Sequence, residues 1–160
     1  MVANYETLAD STRVWIYQSS RKFTAQESAQ IKGALKQFTE QWVSHNLALK
    51  AFGDIFHGQF IVLMVDETMA GASGCSIDKS VNFIRGVESE FGVNMFDRMT
   101  FAYQDEQGIH FAPRDEFAQL YQAGKINDAT LVFDNLVKSK KDFDEAWLKP
   151  LAQSWHKRMV

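Results

Sequence analysis

Gln59 to Asp78 reads QFIVLMVDETMAGASGCSID, and the fold turns on how this stretch divides. Its core, FIVLMV (Phe60–Val65), is apolar at consecutive positions. A strand built from it must be buried on both faces, as a central strand is. The run is far too short to span a membrane. The end of the stretch, GASGCSID (Gly71–Asp78), gathers two glycines, two serines and the only cysteine, Cys75. It leads into a pattern with apolar residues at Ile77, Val81, Ile84, Val87 and Phe91, which predicts a helix that stops at Gly92. A central strand, a tight loop and a helix therefore follow one another directly.

Upstream, LALKAFGDIF (Leu47–Phe56) alternates, with Leu47, Leu49, Ala51 and Ile55 on one side. His57–Gly58 is a turn signal that makes it a hairpin partner of the central strand. Before it, Thr24 and Glu27 form a Thr-x-x-Glu capping box. Ile31, Leu35, Phe38 and Trp42 then repeat at helical spacing, so a helix runs to about residues 44–46. RVWIYQ (Arg13–Gln18) and RMTFAYQ (Arg98–Gln104) read as strands. The order is β-α-β-β-α-β, an α+β class with a ferredoxin-like antiparallel core over residues 1–104. In that topology the first and third strands lie in the middle, and both helices cover one face.

Residues 105–160 predict a strand-helix-strand-helix extension packed on the core: IHF, PRDEFAQLYQAG with Pro113 near its start, ATLVF, and a last helix over KKDFDEAWLKPLAQSWHKRM interrupted at Pro150. The softest joint is Asp105–Gly108. Trp147, Leu151 and Trp155 recur at spacing four and are expected to seat that helix on the sheet face bearing Trp15 and Tyr17. The other candidate to cover that face is a second copy, giving a homodimer.

Hydrophobic residues make up 46% of the 160 and charged residues 23%, with a net charge of −3. These values fit a globular protein without a nucleic-acid-binding stripe or a membrane segment. One cysteine allows no internal disulfide, and a free thiol suits a reducing cytosol. MVANYETLAD has neither the basic nor the apolar region of a signal peptide. The expected location is cytoplasmic.

STRVWIYQSSRKFT, VDE…ASGCSID, DRMTFAY and the terminal SWHKRM resemble a family of small uncharacterised cytosolic Bacteroidetes proteins, often labelled "ABC transporter ATPase". The label implies a nucleotide site, but a P-loop needs G-x-x-x-x-G-K-[ST]. In GASGCSIDKS the glycines are three apart and Lys79 falls inside the helix, so ATP hydrolysis of that type is not expected. FAYQDEQGIHFAPRDEFAQLYQAGKINDATLVF (Phe101–Phe133) is similar to bacterial GYF-like modules, with Ala112–Pro113 at the glycine-proline position and no GYF tripeptide. That resemblance implies peptide binding. It also implies that Arg98–Gln104 belongs with the second half, which would remove the fourth strand from the core.

The chemistry-bearing candidates cluster at the loop. Cys75, near a helix N-terminus, is a nucleophile or redox thiol if a base such as His45 or His57 stands beside it with Asp66 to orient that base. Otherwise it packs the helix start. Gly71, Ser73, Gly74 and Ser76 form either a small-anion nest or a cap, and Asp78 in the first turn opposes an anion. Four histidines without an i, i+4 pair and a lone cysteine predict no metal, and no cofactor motif is present. The residues assemble no full catalytic set. They predict a non-enzymatic ligand-binding or protein-interaction domain, with a Cys75 enzyme or redox sensor as the alternative.

Overall fold

The computed structural model describes all 160 residues. They form two compact units: Met1–Phe96 with Lys138–Lys141, and Asp97–Val137 with Asp142–Val160. The class is α+β, with antiparallel sheets throughout.

In the first unit β1 (Arg13–Gln18) is followed by α1 (Ala25–Gln41), a short hairpin of β2 (Val43–Ser44) and β3 (Leu47–Ala48), then β4 (Lys50–Phe56), β5 (Phe60–Asp66) and α2 (Gly74–Phe91). The sheet order is β1-β5-β4. Every residue of β5 is buried, as its unbroken apolar run requires. Ile61, Leu63 and Val65 face a core shared with Ile31 and Leu35 of α1 and Ile84 and Val87 of α2.

Helix α1 starts at the capping box read from sequence: Thr24 Oγ1 accepts from Glu27 N at 3.1 Å, and Glu27 returns the bond to Thr24 N at 2.9 Å. Arg21 forks onto the Glu27 carboxylate at 2.8 and 2.9 Å and also donates to the Phe91 carbonyl at 2.7 Å. The start of α1 is thereby tied to the end of α2. The Arg21 hydrogen bonds hold the Glu27 carboxyl down at about 2. At Gly53 a Cβ would lie 3.1 Å from Leu35 Cδ2 and from Leu63 Cδ2, so glycine lets α1 settle closely on the sheet.

The two-residue turn between β2 and β3 has positive φ at His45 and Asn46, as primed turns do, and the three-residue turn between β4 and β5 has positive φ at His57 and Gly58. Helix α1 thus ends at Gln41, and SHN forms a hairpin tip rather than a helix end. Leu47 belongs to that tip and is exposed, while Leu49, Ala51 and Ile55 keep the expected alternation.

The sheet departs from the ferredoxin-like order in one place. The strand expected beside β1 is β6 (Thr100–Asp105), and it pairs in a second sheet. Its sequence neighbour β7 (Gly108–Pro113) lies across a two-residue turn, and closing so short a loop costs little entropy. β8 (Leu131–Phe133) takes its other edge, so no edge of β6 remains for β1. Beside the start of β1 stands Ser139, opposite Arg13.

The second unit contains the sheet β7-β6-β8-β9, where β9 is Leu148–Pro150, with α3 (Arg114–Gln122) between β7 and β8. Phe101, Ala112, Phe117, Ile126, Val132 and Leu151 form its core. The expected long terminal helix is absent: α4 (Lys140–Ala146) stops before Trp147, and the chain then pairs as β9. Pro150 disfavours helix at the residue before it. Trp147 instead stacks on Phe143 with centroids 4.6 Å apart and meets Phe133 edge-on at 5.1 Å. Trp147, Leu151 and Trp155 therefore do not share one helix side. Trp15 and Tyr17 lie on the helix-covered face, against Trp42 at 6.0 Å and Phe96 at 5.6 Å.

Leu63→Ala removes a fully buried side chain between the helices and β5. It is expected to lower the unfolding free energy by about 3 kcal/mol in urea denaturation, whereas Leu47→Ala at the exposed hairpin tip leaves it nearly unchanged.

Candidate functional site

At the end of β5 the backbone enters the loop 67–73 and then α2. Asp66 is almost wholly buried. Its Oδ2 accepts from Ala9 N at 3.1 Å, and its Oδ1 accepts from Thr68 N at 3.0 Å and Thr68 Oγ1 at 2.7 Å. Lys50 Nζ stands 3.5 Å from Oδ2. Burial pushes the carboxyl up, but the Thr68 and Ala9 bonds and the Lys50 ammonium outweigh it and hold it at about 2. The partners of Asp66 are thus a turn, an N-terminal backbone group and a lysine, not a histidine.

The loop closes on its own residues. Glu67 Oε2 accepts from Ala72 N at 2.8 Å, and a Cβ at Gly71 would stand 3.1 Å from that oxygen. Ser73 is the N-cap of α2: its Oγ accepts from Ser76 N at 3.2 Å, while Ser76 Oγ accepts from Ser73 N at 2.7 Å and donates to Ser73 O at 2.8 Å. This reciprocal pair does the work of Thr24 and Glu27 with a hydroxyl in place of the carboxylate. The indole of Trp42 donates to the Ser76 carbonyl at 2.8 Å, fixing the helix start against the end of α1. The hydroxyls of Ser73 and Ser76 are therefore engaged in the cap.

Around a Cβ position at Gly74 there is open space. Cys75, the second residue of α2, is exposed, and so is Asp78 one turn into the helix. His45 is exposed at the β2–β3 tip. His57 lies at the β4–β5 turn, the opposite end of β5 from the loop. Burial lowers its pKa, and its ring meets Phe60 edge-on at 6.2 Å. No group of three or more His, Cys, Asp or Glu side chains is placed to hold a metal ion.

The buried face of α2 runs through Ser76, Ser80, Ile84 and Val87, with Ile77 and Val81 only half-buried. Ser80 Oγ donates to Ile77 O at 2.6 Å, so a serine can line the core with its hydroxyl satisfied. Apolar periodicity alone does not register such positions.

The second unit holds two groupings that the residue-by-residue reading did not identify. One is internal. Asp134 accepts from Lys149 Nζ at 2.7 Å, Trp155 Nε1 at 2.9 Å and Leu136 N at 3.0 Å. Burial pushes its carboxyl up, and these bonds, Lys149 foremost, hold it below the usual range. His156 Nδ1 is 2.6 Å from Ser154 Oγ, but both residues are buried, His156 to 1% exposure. The imidazole is packed against Phe101 at 5.1 Å and stacked on Trp155 at 3.8 Å. This Ser–His contact is closed to substrate.

The other grouping is open. Tyr103 of β6 lies opposite His110 of β7, and their rings stack with centroids 5.2 Å apart at 27°. His110 Nε2 is 2.7 Å from Asp105 Oδ1. Tyr103 also touches the Phe117 ring at 6.0 Å and is half-buried. Its phenol pKa is raised, by burial first and then by the charges of Asp105 and Glu116. The sequence did carry a signal for this pair. A two-residue turn at Glu106–Gln107 sets Asp105 opposite Gly108 and hence Tyr103 opposite His110.

No protein-family model, curated protein or solved structure matches this chain. No helix is long and apolar enough to cross a membrane.

Burial, its largest cause, lowers the His156 pKa from 6.5 to about 4. The neutral imidazole is favoured in the folded state, so its contribution is complete above the unfolded value and is lost as pH falls toward the folded one. Unfolding free energy should therefore fall between pH 6.5 and about 4, by on the order of 3 kcal/mol. His156→Phe should flatten that window. A second loss, from Asp66, begins near pH 3.8 and runs toward about 2.

Proposed function

We propose that this chain is a non-enzymatic binding protein, and that its second unit takes an extended, proline-containing peptide with a basic residue. The observation that carries the reading is the Tyr103–His110 face: a stacked, half-buried ring pair on adjacent antiparallel strands with two carboxylates acting on it. Flat aromatic surface suits the preformed, low-entropy conformation of proline-rich segments. The carboxylates of Asp105 and Glu116 favour a cation beside the rings. The likeness of Phe101–Phe133 to GYF-like modules points to the same class of ligand. The loop 71–78 supports anion or nucleotide binding less well, because the Ser73 and Ser76 hydroxyls serve the cap and Glu67 sits against Gly71.

A second reading, a thiol enzyme or redox sensor, is favoured by one observation, the exposure of Cys75 at the second position of α2. Its alkylation rate as a function of pH decides it. A rate that stays high well below the titration range of an ordinary thiol supports the enzyme reading, and an ordinary profile sinks it.

The peptide reading is tested by calorimetric titration of the full chain with an arginine-flanked polyproline peptide. Tyr103→Ala is expected to weaken binding at least tenfold. Glu116→Gln should weaken the basic peptide more than a neutral one, and Cys75→Ser should change nothing. Heat on titrating ATP, with none from any proline-containing peptide, would show the reading to be wrong.

A further inference from the structure

Ionisable groups from three elements act on one another around the Tyr103 ring. Tyr103 and Asp105 are on β6, His110 is on β7, and Glu116 is in the first turn of α3 with Asp115 beside it. His110 Nε2 stands 2.7 Å from Asp105 Oδ1, and Gln107 N donates to the same oxygen at 2.8 Å. The His110 bond foremost holds the Asp105 carboxyl below its usual range, so the carboxylate accepts and Nε2 carries the hydrogen. A second proton on the ring then has one place to go, Nδ1. The side chains of His110 and Asp105 are 35% and 48% exposed, so water and a ligand both reach them.

Protonation at Nδ1 leaves the Asp105 bond in place but changes its character. With a neutral ring, Asp105 keeps its full charge and, together with Glu116, favours a cation. With a charged ring, the imidazolium is ion-paired to Asp105 and lies stacked on Tyr103, centroids 5.2 Å apart at 27°. A cation on an aromatic face beside a carboxylate is what a basic ligand residue would supply. Protonated His110 thus fills from inside the place such a residue would take, and repels it. Histidine is the side chain whose charge changes between about pH 5 and 8. His156 approaches from below, its ring 5.9 Å from Phe117, but it is buried to 1% exposure. His45 and His57 belong to the first unit.

We propose that the Asp105–His110 pair is a proton-operated gate on the peptide face: a proton on His110 and the cation of a basic peptide compete for Asp105 and the Tyr103 ring. The gate rests on the peptide reading above. The second unit holds a basic peptide at neutral pH and releases it on mild acidification. A neutral proline-rich peptide brings no cation to Asp105 and is held alike at both. Linked equilibria are reciprocal, so the basic peptide in turn expels the proton from His110.

Calorimetry of the full chain compares an arginine-flanked polyproline peptide with the same peptide carrying citrulline in place of arginine. From about pH 7.5 to about 5.5 the arginine peptide should weaken about fivefold or more, and the citrulline peptide less than about twofold. In buffers of different ionisation heat, the arginine peptide should release protons on binding at about pH 6.5. Proton NMR at that pH identifies their source. The His110 ring resonances, assigned by their absence in His110→Gln, should move toward the neutral-ring position as the arginine peptide is added. An arginine peptide that binds equally at both pH values and releases no proton overturns the gate and leaves the peptide reading standing. Equal weakening of the two peptides also overturns it. Binding of neither peptide at either pH overturns the gate together with the reading it rests on.

Discussion

A strand with no wet side has to be covered on both faces and along both edges, and β5 is such a strand. Its apolar run leaves no position where water is tolerated. The helices α1 and α2 supply one face, through Ile31, Leu35, Ile84 and Val87. β1 and β4 fill its two edges along their whole length. The capping boxes, the Arg21 clamp onto Phe91 and the indole bond of Trp42 then fix where the two helices sit. Each is a local bond, but each matters because the strand beneath cannot tolerate a helix that slides.

The same demand explains why the loop after β5 is so heavily bonded. A buried strand must end abruptly, and Asp66 ends it: the carboxylate is itself buried, yet it satisfies Ala9 and Thr68 and faces Lys50. Glu67 then folds the loop back on Ala72, and the two serines start α2. Polar residues in a glycine-rich loop are commonly read as hands held out to a ligand. Here most of those hands hold one another, while Cys75 and Asp78 face solvent.

What could be read from the residues was whatever has a local signature. Thr24 with Glu27, Gly92 and the His57–Gly58 turn all stand where their patterns place them, and the unbroken FIVLMV run became the central strand. The buried serines of α2 were not legible, because hydrophobic periodicity assigns no weight to a hydroxyl that bonds its own helix. The destination of Thr100–Asp105 was ambiguous, since its strand pattern fits either sheet. Pairing decided it: a two-residue turn offered β7 at once, while β1 lay two helices and four strands away in sequence. The bridge from Ser139 to Arg13 had no strand signature at all, because a single polar residue between lysines looks the same as a solvated loop. Of the open face on the second unit, Tyr103 and His110 were each visible, but only the register joins them.

The late position of Lys138–Lys141, whose backbone bonds to Asp10, Thr12 and Val14, has a consequence for how the chain is made. Synthesis proceeds from the N-terminus, so β1, β5, β4 and both of their helices leave the ribosome before Lys138 exists. Until Asp97–Val137 has been translated, the outer edge at Asp10–Val14 lacks the residues that pair with it in the finished molecule. The nascent first unit thus spends that interval with an unfinished sheet, and a pause or a premature stop anywhere in the second unit's coding stretch prolongs the exposure of the first.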